Sequence, residues 1–496
     1  MPALYSVAAN LPHNCRKLLA IEALAGNDPI SRIAVREDVS RKFLYQQKQK
    51  AEAALDQAFS PDNEASDVLF YLPVTKAWLI QLVISLALIC HSSYRGIIQL
   101  LADLFDTAIS LGTVHSLLVS AASQATRING SQDLSAIRVG LQDEIFQGDQ
   151  PVLAGVDASS IYCYLLAEAE HRDEDTWGIH LLDTKAQGFD PDYTIADAGA
   201  GLRAGQRAAL GDTPCHGDVF HIQHQCETLA HLWGRLAQGA ATRRQRLEQR
   251  MAKARLKGQG NTLSSKLAKA RKAETHALKL AKDVKTLVGW LERDILALAG
   301  LCFEARCELF NFIVTELEHR EHLDSARIRP VRIALARQRD NLLGFAKVLD
   351  NKLEEIAQRF QVPDYQVRAL CLLQRKPKTK TSQAYWMGRD QLNQQLAWKF
   401  HAVWGALVNA MAETHRSSSL VENLNGRLRN YFFLRRNLGQ GYLDLLRFFL
   451  NHRVFMRSER PERIGKSPAE LLTGKPHPHW LELLGFERFR QAPIPA

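Results

Sequence analysis

No stretch of this chain is long and apolar enough to read as a membrane span. Its most hydrophobic run, AWLIQLVISLALIC at 77–90, is shorter than the roughly 20 residues a spanning helix needs. The opening MPALYSVAANLPHNC has neither the basic start nor the apolar block of a secretion signal. Cysteine is sparse, with eight residues scattered over 496, which argues for reduced thiols in a cytoplasm rather than a disulfide scaffold. The phosphate-loop pattern GxxxxGK(S/T) is absent, so an ATP-driven motor is disfavoured. No internal repeat of fixed period is present.

Basic charge is in excess. Hydrophobic residues (46 %) and charged residues (23 %) are in ordinary globular proportion, but the net charge is +10 and the isoelectric point is near 9.2. That balance points to a polyanionic partner, and with no membrane segment in view, nucleic acid is the better reading. The length predicts several domains.

The first sixty residues predict helices broken by a turn at Gly26-Asn27. PISRIAVREDV begins with proline in its first turn, and SRKFLYQQKQKAEAALDQAF begins with Ser40 as N-cap. A short helix, a tight turn and a longer basic helix resemble a helix-turn-helix, in which the second helix enters the major groove. Arg41, Lys42, Tyr45, Gln46 and Lys48 are then the DNA-reading or phosphate-gripping residues. The alternative is a solvated basic helix that packs through Phe43 and Leu44. A second helical block over 74–126, with Ser110 capping its last piece, reads equally as another DNA-contacting module or as a helical linker on the core.

From Val152 the pattern turns to β-branched and aromatic runs. VLAGVD, SIYCYLLAEAE and TWGIHLLD are expected as three successive strands. A short helix follows, then the strand YTIAD, the helix AGAGLRAGQRAAL and a last strand, PCHGDVFHI. The order β-β-β-α-β-α-β predicts a mixed sheet with a parallel half. With VLAGVD at its centre and YTIAD beside it, Asp157 and Asp197 end neighbouring strands about 4.8 Å apart. Two carboxylates that close share a cation, and Mg2+, with Mn2+ as substitute, suits their oxygens. Asp218, one strand further on, is the rival to Asp197. Cys215, His216, His221, His224 and Cys226 invite a zinc reading, but without a clean CxxC or HxxxH spacing, core or DNA-facing histidines fit better.

Between about Gln225 and His415 the chain reads as almost wholly helical. Arg243 to Lys285 suggests a basic antiparallel hairpin turning at Gly258 to Asn261. After it, SSSLVENLNGRLRNYFFLRR places Glu422 on a helix, with Asn425, Arg427, Arg429, Arg435 and Arg436 behind it.

Taken in order, VLAGVD, IADAGAGLRAG and SSSLVENLNGRLRN resemble the acidic segments of bacterial insertion-sequence DDE transposases. The resemblance organises roughly Asp143 to Phe455. It implies a mixed α/β ribonuclease H-like core interrupted by a large all-α insertion and preceded by an all-α helix-turn-helix region. It also implies that the small residues of IADAGAGLRAG leave room beside a metal site. The implied domains are 1–65 (helix-turn-helix), 66–140 (second helical or linker domain), 141–225 (first part of the core), 226–410 (helical insertion), 411–455 (final-acid helix) and 456–496 (tail). Asp157, Asp197 and Glu422 are implied as the catalytic acids holding Mg2+, with Glu413 the rival to Glu422. Arg427, Arg429, Arg435 and Arg436 are expected to grip the DNA backbone. The implied activity is cleavage of double-stranded DNA at element ends followed by strand transfer, by a homo-oligomer, at least a dimer, in the bacterial cytoplasm near the nucleoid. A transposase-derived DNA-binding regulator and a structure-specific nuclease are the competing classes.

Overall fold

In the computed structural model, residues 11–59, 72–257, 263–374, 382–434 and 438–488 are described. The turn expected at Gly258 to Asn261 lies outside them. The chain divides into two compact units, 1–74 with 490–496 and 75–489.

Among the described residues, the first unit holds three helices, His13–Ala25, Ile30–Arg36 and Arg41–Phe59. Gly26 closes the first at φ 68°, a left-handed value that glycine adopts without penalty. Ser40 Oγ accepts the Phe43 N–H at 3.1 Å, the N-cap that the sequence predicts. Leu19, Ile33, Ala34, Val39 and Leu44 make a small core. Arg41, Lys42, Tyr45 and Gln46 are exposed, while Lys48 is half-buried and 3.7 Å from Glu52.

The second unit is mostly helical around one five-stranded mixed sheet. Its strands are β1 (Val139–Gln147), β2 (Gln150–Asp157), β3 (Cys163–Glu168), β4 (Tyr193–Ala196) and β5 (Cys215–Gly217), in spatial order β3-β2-β1-β4-β5. The first three form an antiparallel meander, and β4 and β5 add in parallel to β1.

The expected string of elements is present, but it is made of different segments. TWGIHLLD is helix, within Glu174–Ala186, where Asp173 caps the first turn by accepting the Thr176 N–H. Trp177, Leu181 and Thr184 recur at helical spacing and are buried. The strand missing from the sequence reading is VGLQDEIFQ. Its Gln142, Asp143 and Gln147 are buried polar groups, so it shows no simple apolar alternation. The central strand is therefore β1, and VLAGVD is one place away from β4. PCHGDVFHI is also revised, because β5 stops at Gly217 and Val219 begins a helix.

Both faces of the sheet are covered. On one side lie the helices Lys76–Leu88, Tyr94–Phe105, Leu111–Gly130, Ser419–Leu434 and Gln440–His452, whose apolar residues merge with Leu141, Ile145, Val156 and Ile195. The block at 76–130 is thus a layer of this unit. On the other side, Glu174–Ala186 crosses Ala200–Leu210. A Cβ at Gly205 would stand 2.6 Å from the Glu174 carbonyl oxygen and 2.7 Å from the Gly178 nitrogen. The small residues of IADAGAGLRAG therefore include one required by a helix crossing, beyond any role beside the acids. Gly205→Ala is expected to cost about 1–3 kcal/mol of stability, since the clash is with backbone, and chemical denaturation measures it.

The helices from Val219–Leu256 to Phe400–Ala412 form an insertion with apolar clusters of their own. Val219–Leu256 and Ser264–Trp290 pack as the expected hairpin, bridged by Arg244 to Glu274 at 2.6 Å. Position 226 lies within the first insertion helix, which starts directly at the end of β5.

Candidate metal centre

The register of the sheet decides which acids meet. Leu141 pairs with Ile195 and Ala196 with Gly217. Continued along the strands, these pairings set Asp143 level with Asp197, and Asp197 level with Asp218. Adjacent strands are about 4.8 Å apart, so a row of carboxylates forms at the carboxyl ends of β4 and β5. Asp143 lies on the same face of β1 as Leu141 and Ile145, which is the face covered by the Ser419–Leu434 helix.

That helix supplies Glu422 in its first turn. Val421, Leu424 and Leu428 anchor it in the core. Asn425, one turn beyond Glu422 on the same side, donates Nδ2–H to Asp143 Oδ2 at 2.8 Å. The helix is therefore tied to the acid it faces.

The long insertion does not disturb this placement, because its two ends meet. The Val219 N–H donates to the Arg416 carbonyl at 3.1 Å, and Ser418 Oγ donates to Asp218 Oδ2. The same Asp218 accepts the Phe220 N–H at 2.8 Å and caps the first insertion helix. Asp218 is thus a buried strand-end acid committed to a helix cap and to the seam that closes the insertion.

One turn along that helix, His221 turns back to the acids. Its Nε2 lies 3.6 Å from Asp218 Oδ2 and 3.9 Å from Glu422 Oε1. Among the described residues, the set of three acidic, histidine or cysteine side chains that converges is Asp143, His221 and Glu422, each offering an atom within 4.8 Å of the others. His221, expected in a strand and as a core or DNA-facing histidine, lies instead in the first turn of a helix and faces the acids. The available signal was its position three residues after a capping Asp, which puts it in the first turn of a helix.

The Asp143 carboxyl is pushed up to about 6, chiefly by burial, with the charges of Glu422 and Asp197 acting in the same direction. The Glu144 N–H, at 2.8 Å from Asp143 Oδ1, and His221 oppose that rise. Asp197 is half-buried, with Oδ1 accepting the Gly199 N–H at 2.8 Å. Among the described residues no arginine or lysine is paired to the side chains of Asp143, Asp197 or Glu422, so each carboxylate raises the cost of ionising its neighbours. His221 Nε2 is buried without a hydrogen-bond partner, an orphaned donor or acceptor aimed into the same place.

Asp157 is not brought to this cluster, which corrects the expectation based on VLAGVD as central strand. It ends β2 opposite Gly140, about 10 Å along β1 from Asp143 at 3.3 Å per residue. Its Oδ2 accepts from the Ser160 N–H at 2.7 Å and Ser160 Oγ at 2.5 Å. The acid at the tip of a buried strand is there to close the β2–β3 turn. Glu413 is also elsewhere, exposed and 3.1 Å from Lys352. His216 stacks on Tyr193 at 4.5 Å, and Cys226 is buried in the insertion's apolar cluster. Arg429 is exposed and Arg427 half-buried, while Arg435 and Arg436 lie outside the described residues.

Comparison with protein-family models and with curated proteins finds no match to this chain.

Proposed function

We propose that the chain is a DDE-type DNA transposase whose acids are Asp143, Asp197 and Glu422, set in a ribonuclease H-like core with an all-α insertion. The observation that carries this reading is the register: an acid on the central strand lies level with an acid ending its parallel neighbour. A glutamate from a later helix converges on the first of them. The basic charge of the chain supports a DNA substrate.

In this reading Asp143, Asp197 and Glu422 hold Mg2+ or Mn2+, and His221 adds a nitrogen ligand. When bound, such cations supply Lewis acidity toward a phosphate and favour the attacking oxygen. The protein's own part is placement. The sheet fixes Asp143 and Asp197, and Asn425 fixes the glutamate helix to Asp143. Arg429, seven residues after Glu422 and so on the same side of its helix, is exposed toward a backbone phosphate. The Arg41–Phe59 helix, with Arg41, Lys42, Tyr45, Gln46 and Lys48, reads the element ends, and a homo-oligomer, at least a dimer, holds two ends together. Among the described residues no helix is long and apolar enough to cross a membrane.

The test is cleavage of DNA carrying the sequences that flank the gene, with Mg2+ or Mn2+, followed by a strand-transfer assay into plasmid. Cleavage without transfer would favour a nuclease, and DNA binding without cleavage would favour a regulator. Imidazole favours transition metals over Mg2+. His221→Gln is therefore expected to weaken Mn2+ binding about tenfold or more with a smaller effect on Mg2+, which calorimetric titration of both ions compares. Equal losses for the two ions would remove His221 from the ligand set.

A further inference from the structure

The Ser419–Leu434 helix has a second side that carries polar groups. Leu420, Asn423 and Arg427 recur at i, i+3 and i+7, on the side opposite Glu422 and Asn425. Across from this side the chain leaving the Gln440–His452 helix brings Arg453 and Arg457 to the same cavity, of about 340 Å3. Phe455 and Met456 supply part of its apolar wall.

Three guanidinium groups thus line one cavity. None of them makes an ion pair among the described residues, in contrast to Arg244, Arg320 and Arg368 of the insertion, each of which holds carboxylates. Arg427 is half-buried. The ionisable groups that interact with it are Tyr431, Arg453, Cys163 and His91, and none is a carboxylate. Arg453 stacks over Phe449 at 5.4 Å, which holds its planar group in place without neutralising it. Withdrawing a guanidinium from water beside a second cation is costly unless an anion joins them. Arginine's fork of donors matches phosphate oxygens in particular.

We propose that Arg427, Arg453 and Arg457 form a docking pocket for a backbone phosphodiester of the DNA strand that the protein processes. A helix is about 10 Å across, so this phosphate is not the reacting one. It belongs further along the strand, on the far side of the helix that carries Glu422, and would set the strand's position relative to the acids. The proposal rests on the reading of the chain as a DNA-processing protein.

Binding of a short duplex to the full chain, measured in EDTA across a salt series, tests it without any need for catalysis. The variant Arg453→Gln/Arg457→Gln changes two side chains that lie outside the apolar core. Each lost phosphate contact is expected to lower the slope of log affinity against log salt by about 0.9. A control pair, Arg329→Gln/Arg337→Gln on the insertion, removes the same charge and is expected to leave the slope nearly unchanged. Wild-type binding with an unaltered slope in the pocket variant would overturn the pocket while leaving the DNA reading intact. A wild type that binds no DNA would overturn both. Inorganic phosphate provides the second arm. If it binds wild type and not the pocket variant, while DNA binding is equal in the two, the site serves a soluble anion and the DNA assignment falls.

Discussion

Asp143→Asn, Asp197→Asn and Glu422→Gln are each expected to lower metal-dependent DNA cleavage by about a thousandfold, with DNA binding retained. Asp157→Asn is expected to cleave at close to the wild-type rate. The amides keep size and shape but remove the charge that a divalent cation requires, so they act on chemistry rather than on packing. Asp157 is expected to respond differently because its Oδ2 is taken by Ser160 and because it sits beside Gly140 at the far end of β1. Its substitution should appear in stability, as a weakened turn between β2 and β3. An Asp157→Asn protein that folds, binds DNA and fails to cleave would place the centre at the hairpin tip and sink the Asp143 assignment. Activity surviving in Asp143→Asn would do the same.

Asp143→Asn is expected to make the metal-free protein more stable at pH 7.5. Asp143 is buried, faces two other acids, and has its carboxyl pushed up to about 6 from 3.8. Its unfolded form therefore ionises first. The stability that the neutral acid contributes is complete below about pH 4 and is lost as pH rises through about 6, a loss of about 3 kcal/mol at 1.4 kcal/mol per unit. An asparagine has no such charge to bury. Asn425 can accommodate it by turning its amide, since its Oδ1 has no partner and would accept from the new side chain. Denaturant melts in EDTA should show the variant above wild type by about 2–3 kcal/mol at pH 7.5 and equal to it near pH 4. Adding Mg2+ or Mn2+ should raise the wild type and leave the variant nearly unmoved. A variant that is less stable than wild type at pH 7.5 in EDTA would mean that Asp143 is neutralised by something other than a cation.

Much of the organisation was legible because it is local. The Ser40 and Ser110 caps, the stop at Gly26, the helical insertion and the basic hairpin each follow from a few neighbouring residues. Glu422 was legible for the same reason, since a serine run before a helix marks where its first turn begins. Three elements misled, among them PCHGDVFHI, where the strand stops at Gly217 and a helix begins at Val219. TWGIHLLD is short and apolar enough for either period, and only the packing of Trp177 and Leu181 against the sheet settles it as helix. VGLQDEIFQ shows no clear strand signal because Gln142, Asp143 and Gln147 are buried in it and hide the alternation by which strands are read.

Caps, charge balance, the helical character of the insertion and the candidacy of Asp197 and Glu422 were thus legible in the sequence by itself. Which acid stands with them was decided by the tertiary structure alone. Asp143 and Asp157 both end up buried on adjacent strands, and nothing within either segment distinguishes them. The difference is that β1, not β2, is the neighbour of β4, and strand order is a property of long-range pairing. His221 and the closing of the insertion at Ser418 have the same origin. Side chains some 200 residues apart meet because the backbone brings them together, and no local pattern records it.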